Sequence, residues 1–298
     1  MKKPHLVLPT STARHFFTSN MNPQFAGGTA LVIPTPNKEG IYRFPDGEVY
    51  LRIPRISHAE RIAIVHSGYP DPNGGLIELY MMLDIVRQYA PKAKLSVIFT
   101  TFPYGRQDKV YYAGELNAAE TLIRTLVERY GVARVSAIDA HFANERWTRN
   151  HPFTNVSVVD LLAAAAREKH HNIVLISPDA GSTRRSHIKG ATKERQNSYD
   201  VTVSLGGEFA EMVNGQIVGA VDDILSTGAT LVKFQAEAKR NGARKTYALI
   251  SHGVNSSGIG RIQALYDGLY LTNTVKCAEA NVCVANRVLD MIENSFEG

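Results

Sequence analysis

The sequence predicts an α/β protein of two domains, each a mainly parallel sheet flanked by helices. Three observations carry this reading. Short apolar runs alternate with amphipathic stretches along the chain, the pattern of strands joined by crossover helices. Several runs are apolar on consecutive positions, as in strands covered on both faces. The alternation occurs twice, with a break near His151–Thr154, where Asn150, His151 and Pro152 read as a linker. The expected domains are residues 1–152 and 153–298. The two halves share an architecture but no sequence repeat.

In the first half Ala30–Pro34, Arg61–Ser67, Lys94–Thr100 and Arg134–Asp139 read as strands; in the second, Asn155–Val159, Ile173–Ser177, Ile217–Asp222 and Lys245–Ser251 do. Glu48–Ile53 alternates instead, which predicts a strand with one wet face. The helices carry their own punctuation. Asn73 can cap a helix running to about Ala90, where Pro91 stops it. Asn117 with Glu120 makes a capping-box-like start, and Gly131 ends that helix. Asp160 can cap Leu161–Lys169, and Thr230–Asn241 is amphipathic and closes at Gly242.

Composition narrows the class. Of 298 residues, 44% are hydrophobic and 20% charged, as in a soluble globular protein rather than a disordered one. Lys and Arg exceed Asp and Glu by 33 − 28 = 5, but the charges are scattered and form no nucleic-acid arm. A modest positive excess suits a cleft for small anions as well as a solvated surface. Two cysteines, Cys277 and Cys283, do not make a disulfide framework, and their apolar neighbours suggest core packing. The start, Met1-Lys2-Lys3-Pro4, is basic but is not expected to be a signal sequence, since Pro4 and His5 interrupt it and the apolar run that follows is too short, and no apolar stretch approaches the ~20 residues of a membrane span. No nucleic-acid or membrane partner is expected, and the cytoplasm is the expected location.

The strongest local signal is Val221-Asp222-Asp223-Ile224-Leu225-Ser226-Thr227-Gly228-Ala229-Thr230. An apolar strand ends in two carboxylates, then a loop of small and hydroxyl residues leads into a helix. Ligands of open α/β sheets collect beyond the carboxyl ends of strands. Loop hydroxyls and the N–H groups of a helix start cradle phosphate. Paired carboxylates suit sugar hydroxyls or waters around Mg²⁺, not phosphate itself. A surface Asp-Asp turn is the plainer reading; the Ser-Thr-Gly-Ala-Thr loop at a strand end weighs against it.

Other strand ends carry chemistry too. In Phe102-Pro103-Tyr104-Gly105-Arg106-Gln107-Asp108-Lys109, Arg106 and Lys109 can neutralise phosphate oxygens. Gln107 can bond neutral polar groups, and Asp108 can orient a cation or a metal-bound water. Asp139-Ala140-His141 also follows a strand, and so does Ser177-Pro178-Asp179-Ala180-Gly181-Ser182. Phe44-Pro45-Asp46-Gly47-Glu48 alone reads as a turn before a strand. Lys193-Glu194-Arg195 places two cations two residues apart, on the same side of an extended segment.

Together, in this order, these segments resemble the ribose-phosphate diphosphokinase (phosphoribosyl diphosphate synthetase) family, from about Phe44 to Val275. Asp222–Thr230 resembles the phosphoribosyl-diphosphate motif shared with type I phosphoribosyltransferases. Arg106–Lys109 resembles the family's Tyr-x-Arg-Gln-Asp-Arg/Lys segment, Asp139–His141 its Asp-x-His, and Phe44–Glu48 its Phe-x-Asp-Gly-Glu. Ser251-His252-Gly253-Val254 and Thr272-Asn273-Thr274-Val275 resemble later segments. The resemblance implies two tandem type I phosphoribosyltransferase-like domains with the active site between them. It implies ATP contacts from Phe44, Asp46, Glu48, Arg106, Gln107, Asp108, Lys109 and His141. It implies ribose 5-phosphate contacts from Asp222, Asp223, Ser226, Thr227, Gly228, Ala229 and Thr230. Mg²⁺ is expected at His141 and Asp179, and Lys193 and Arg195 are expected to act in catalysis from a flexible loop. A homo-oligomer is implied, dimer-based, tetrameric or hexameric, in which Phe44–Glu48 serves a neighbouring subunit's ATP.

The pattern departs from the family in three places. Ser182 replaces a Gly, Phe142–Pro152 lacks the usual Gln-Ile-Gln-Gly-Phe-Phe-rich stretch, and Ser226 stands where Asp is usual. The last two set the chain apart from the commonest, phosphate-activated group. Two other readings stay open. A phosphoribosyltransferase explains Asp222–Thr230 but not Arg106–Lys109, Asp139–His141 or Phe44–Glu48. A catalytically silent regulatory relative leaves the retention of Lys193, Arg195, His141 and Asp179 unexplained.

Overall fold

A computed structural model describes residues 5–17, 29–56, 59–178, 192–195, 201–204 and 207–297. The chain forms two compact units, Met1–Val156 together with Ala285–Gly298, and Ser157–Val284.

The first unit holds β1 (His5–Pro9), β2 (Thr29–Leu31), β3 (Arg61–Ser67), β4 (Lys94–Thr101), β5 (Val132–Ile138) and β6 (Phe153–Val156). They form one sheet in the order β2-β1-β3-β4-β5-β6, every pair parallel. Helix α1 (Pro72–Tyr89) connects β3 to β4, and α2 (Ala118–Glu128) connects β4 to β5. Ile62, Ile64, Leu95, Val97, Phe99 and Val135 pack against Leu79, Met82 and Leu83 of α1 and Ile123 and Leu126 of α2. Asn117 caps α2, accepting from the Glu120 amide at 3.1 Å while Glu120 Oε2 accepts from Asn117 Nδ2 at 3.0 Å. The α1 cap is Asp71, not Asn73: its carboxylate accepts from the Gly74 amide at 2.9 Å, with Pro72 in the first helical position.

The second unit holds α3 (Val159–Lys169), β7 (Val174–Ile176), β8 (Thr192–Arg195), β9 (Val201–Ser204), α4 (Gly207–Val213) and β10 (Ile217–Leu225). It continues with α5 (Ala229–Arg240), β11 (Lys245–Gly253), α6 (Ser256–Leu265) and β12 (Gly268–Leu271). The main sheet is parallel in the order β12-β11-β10-β7, and β8 and β9 form a separate antiparallel ribbon. Val218, Ala220, Ala248 and Ile250 meet Leu231, Phe234 and Ile262. Val221, Tyr247 and Leu249 instead meet Leu162 and Ala166 of α3. Helices therefore cover both faces, which is why β10 and β11 are apolar on consecutive positions.

Several boundaries differ from the sequence reading. The expected division after residue 152 falls after Val156, because Phe153–Val156 pairs with β5 as an edge strand. The C-terminal helix Ala285–Phe296 belongs to the first unit, where it packs on β3 and β4 through a face including Val288, Met291 and Ile292. Its carboxyl end receives Arg134, which donates to the Asn294 carbonyl at 2.6 Å, and Arg61, which donates to that of Phe296. Cations are favoured there by the helix dipole. Glu48–Ile53 is no strand: Val49 makes a single antiparallel bridge to Arg43, and the rest is loop. Asp160 lies in the first turn of α3, whose cap is Val158. Cys277 packs against the second core, whereas Cys283 is exposed.

Candidate functional site

In the first unit the loops after β4 and β5 sit side by side, because those strands are neighbours. Residues 103–106 make a turn with Tyr104 at φ +55°, closed by the Gln107 amide donating to the Tyr104 carbonyl at 2.9 Å. The turn leaves Arg106 and Gln107 exposed and buries Asp108, which is 6% exposed. Burial pushes the Asp108 carboxyl above the usual carboxylate range, and nearby His141 and Lys109 oppose that rise. Asp108 and His141 are therefore electrostatic neighbours, as expected for two residues serving one site. Lys109 pairs with Glu145 at 2.7 Å. Trp147 Nε1 donates to the Asp108 carbonyl at 3.2 Å.

The Asp139–His141 segment is held from β6. The Asp139 amide donates to the Val156 carbonyl at 3.0 Å, and the Ala140 amide to Asn155 Oδ1 at 2.8 Å. Asp139 has φ +36°, an uncommon conformation for a residue with a side chain and a frequent mark of functional turns. Below it Phe142 is fully buried against Phe102, Trp147 and Phe153. Phe142 and Trp147 thus pack together beside the turn that carries Asp108.

Phe44–Glu48 forms a tight turn. Gly47, at φ +93°, donates to the Phe44 carbonyl at 2.9 Å, and the Glu48 amide donates to Asp46 Oδ1 at 3.1 Å. Phe44, Asp46 and Glu48 are all exposed. Arg43 binds both the Gly47 carbonyl and the Asp71 carboxylate. Tyr104 Oη donates to Asn73 Oδ1. The first turn of α1 therefore tethers both the Phe44 turn and the Arg106 loop, a role for Arg43, Asp71 and Asn73 that no spacing in the sequence announced.

In the second unit β10 runs on to Leu225, beyond the expected end at Asp222, so both carboxylates belong to the strand. Asp223 is buried and Asp222 half-buried. Ser226 and Thr227 form the loop, and Gly228 at φ +77° opens α5 with no side-chain cap. The first-turn amides of α5, from Ala229 and Thr230 onward, lie at an uncapped helix start suited to an anion. Helix α6 closes the loop from behind. Arg261 Nη1 donates to the Thr227 carbonyl at 3.1 Å. A Cβ on Gly258 would overlap the Ser226 carbonyl oxygen and lie 2.9 Å from its carbon. Neither Gly258 nor Arg261 was marked as functional by the sequence; a glycine in the first turn of a helix was the available signal.

Lys193 and Arg195 lie in β8, opposite Val203 and Val201 of β9, so this segment is an extended ribbon. Asp179 lies outside the described residues. Among the described residues no group of three or more His, Cys, Asp or Glu is placed to hold a metal. Mg²⁺ takes oxygen ligands, keeps several waters and usually comes with substrate phosphates rather than into an all-protein cage. Buried Asp108, beside His141, supplies a carboxylate that suits such an ion through its waters. No described helix is long and apolar enough to cross a membrane.

A family model for the N-terminal domain of ribose phosphate pyrophosphokinase matches residues 15–131. A ribose-phosphate pyrophosphokinase from Thermococcus kodakarensis is 28% identical over 260 residues, covering 84% of this chain and 90% of that protein. The chloroplastic ribose-phosphate pyrophosphokinase 5 of Arabidopsis thaliana is 28% identical over 291 residues, covering 92% of this chain and 73% of that protein. The crystal structure of phosphoribosylpyrophosphate synthetase from Mycobacterium smegmatis matches in fold with a TM-score of 0.78, covering 99% of both chains at 20% identity. The two parallel sheets with their helices are two tandem type I phosphoribosyltransferase-like domains. Over most of its length the chain is similar to ribose-phosphate pyrophosphokinases.

Proposed function

We propose that the protein transfers the β,γ-diphosphate of ATP to the 1-hydroxyl of ribose 5-phosphate, giving 5-phospho-α-D-ribose 1-diphosphate and AMP. One observation carries this reading: a single chain holds two different loops, one with exposed cations and one at an uncapped helix start, each at the carboxyl edge of its own parallel sheet. The first unit offers Arg106, Gln107, Lys109 and His141 over buried Asp108. These suit the triphosphate, while exposed Phe44, Asp46 and Glu48 suit the adenine of ATP bound by a neighbouring subunit. The second unit offers Asp222, Asp223 and the uncapped start of α5. These suit the hydroxyls and the 5-phosphate of the sugar.

The 1-oxygen forms a bond to the β-phosphorus, the bond from that phosphorus to the bridging oxygen of AMP breaks, and the hydroxyl proton leaves to solvent. Attack at the γ-phosphorus would give an ordinary kinase, so positioning selects the reaction. Lys193 and Arg195 oppose the charge on the transferring group. Mg²⁺, held near His141 and Asp179 with the triphosphate, would supply charge screening. Incubation with ATP, Mg²⁺ and ribose 5-phosphate should yield AMP in step with sugar consumed; stoichiometric ADP would refute diphosphoryl transfer.

Ser226 tests the sugar loop. Its hydroxyl can donate to the 5-phosphate or shape the loop without adding charge. Ser226→Ala should raise KM for ribose 5-phosphate by the equivalent of ~0.5–1.5 kcal/mol, the value of one neutral hydrogen bond. The ATP KM should hardly move, and Ser226→Asp should stay active. An unchanged ribose 5-phosphate KM with a shifted ATP KM would put the wrong substrate in this loop.

The proposed assembly is a homo-oligomer with a shared ATP site, motivated by the exposed Phe44–Glu48 turn. Mixing Asp46→Ala chains with Lys193→Ala chains should restore part of the activity, because some hybrid sites carry neither defect. A fully active monomer in sedimentation at assay concentration would exclude it. A cytoplasmic enzyme is the matching proposal for location; signal at a membrane or organelle on fractionation would refute it.

A further inference from the structure

The second unit has a cavity of about 470 Å³ that the proposed reaction does not use. It lies at the amino edge of the sheet, between the end of α3 and the starts of β11 and β12. Its wall mixes the rings of His170, Tyr247 and Tyr270 with charged and polar side chains, Glu168, Lys169 and Asp267 among them. The His170 and Tyr247 rings lie 4.3 Å apart at 33°, and Tyr247 and Tyr270 lie 6.1 Å apart at 49°. Gly268 keeps this wall open, since a Cβ there would come within 2.8 Å of the Tyr247 ring. The volume falls in the usual range for small-molecule sites, and aromatic walls with a few polar groups are their usual make-up.

The charges narrow the ligand. Lys169 and Lys245 lie near His170, while Glu168 and Asp267 bring opposite charges. Asp267 is already engaged by the Thr246 amide at 2.8 Å and Lys239 at 3.2 Å. The helix end facing the cavity is the carboxyl end of α3, with its carbonyls and negative dipole. That end repels a phosphate and accepts from N–H groups. Burial, with Lys245 and Lys169 nearby, lowers the His170 pKa, and its ring lies against that of Tyr247. The site suits a flat, uncharged, N–H-bearing ring system.

We propose that this cavity binds the base of a purine nucleoside, at a site separate from the carboxyl-edge loop of the same unit. From Tyr247 to Gly253, which pairs with Leu225 beside that loop, β11 advances six residue steps, roughly 20 Å. A ligand here therefore does not compete with a sugar phosphate at Asp222–Thr230.

The test uses the full chain and adenosine, by equilibrium dialysis with a non-hydrolysable ATP analogue at saturation to fill the catalytic nucleotide site. Adenosine should still bind. Ala165→Phe, which fills the cavity from α3, should weaken that binding by about tenfold or more while leaving turnover of ATP and ribose 5-phosphate intact. Loss of adenosine binding on adding the analogue, or equal affinity in Ala165→Phe, overturns the proposal. Photolabelling of the unaltered chain with 8-azidoadenosine in the presence of the analogue gives an answer that does not depend on the variant folding. Label on the peptides carrying His170, Tyr247 or Tyr270 supports the site, and label only elsewhere overturns it. If the proposed reaction fails but the label falls on these peptides, the cavity assignment stands alone.

Discussion

Gly258→Ala should lower kcat/KM for ribose 5-phosphate by about 10² or more, with the protein still folded, because a displacement near 1 Å in a positioning loop has that cost. The added methyl would overlap the Ser226 carbonyl oxygen and lie 2.9 Å from its carbon. Both are backbone atoms, so no side chain can swing away. The loop cannot yield freely. Leu225 is paired with Gly253, Val254 donates to the Leu225 carbonyl at 3.0 Å, and Arg261 holds the Thr227 carbonyl at 3.1 Å. Helix α6 cannot retreat easily either, since it begins after only Val254 and the Asn255 cap, which accepts from the Gly258 amide at 3.0 Å. Gly260→Ala is the internal control. It lies in the same helix with nothing within 4 Å of its added Cβ. It should leave kinetics unchanged and raise stability by ~0.4–1 kcal/mol. Steady-state kinetics and thermal melts of the two variants decide the matter. Equal, near-normal activity in both would mean that the loop has slack, or that it does not position substrate.

The sequence announced what local chemistry dictates and missed what distant packing decides. Arg61–Ser67 was legible because a strand buried on both faces must be apolar on consecutive positions. The loops around Arg106–Lys109, Asp139–His141 and Ser226–Thr230 were legible because polar residues directly follow such runs. His5–Pro9 was not read as a strand, since five residues ending in proline carry too little periodicity. Glu48–Ile53 alternates for a different reason than expected. Ile53 is buried against the first core from an irregular loop, and Val49 makes only an isolated bridge to Arg43. The C-terminal helix has a visible apolar face, but nothing local says that it returns to the first unit; that depends on Arg61, Arg134 and the surface of β3 and β4. At the site, Asp108 read as a group that orients a cation or a metal-bound water, and no local signal said that the turn at Tyr104 buries it beside His141. The clamp of Gly258 on Ser226 joins residues 32 positions apart and leaves no trace in either motif.

Lys193→Ala and Arg195→Ala should each lower kcat by on the order of 10² or more and move KM little, by analogy with removing one donor that stabilises developing charge. The two positions flank Glu194 on β8, paired with β9 through Val203 and Val201. An extended segment carries residues two apart on one side, so a single approach of the ribbon would present both cations to one phosphoryl group. Charge on that group and on the departing AMP oxygen grows as the bond to the bridging oxygen breaks. An interaction that strengthens only then raises kcat without tightening ground-state binding. Two cations acting on one group should also be non-additive, so the double variant should lose much less than the product of the single losses. A rise in KM at constant kcat would reassign both residues to holding ATP. Near-normal kcat in both single variants would remove this ribbon from the catalytic machinery, and the charge would then have to be met by Arg106, Lys109 and the metal alone.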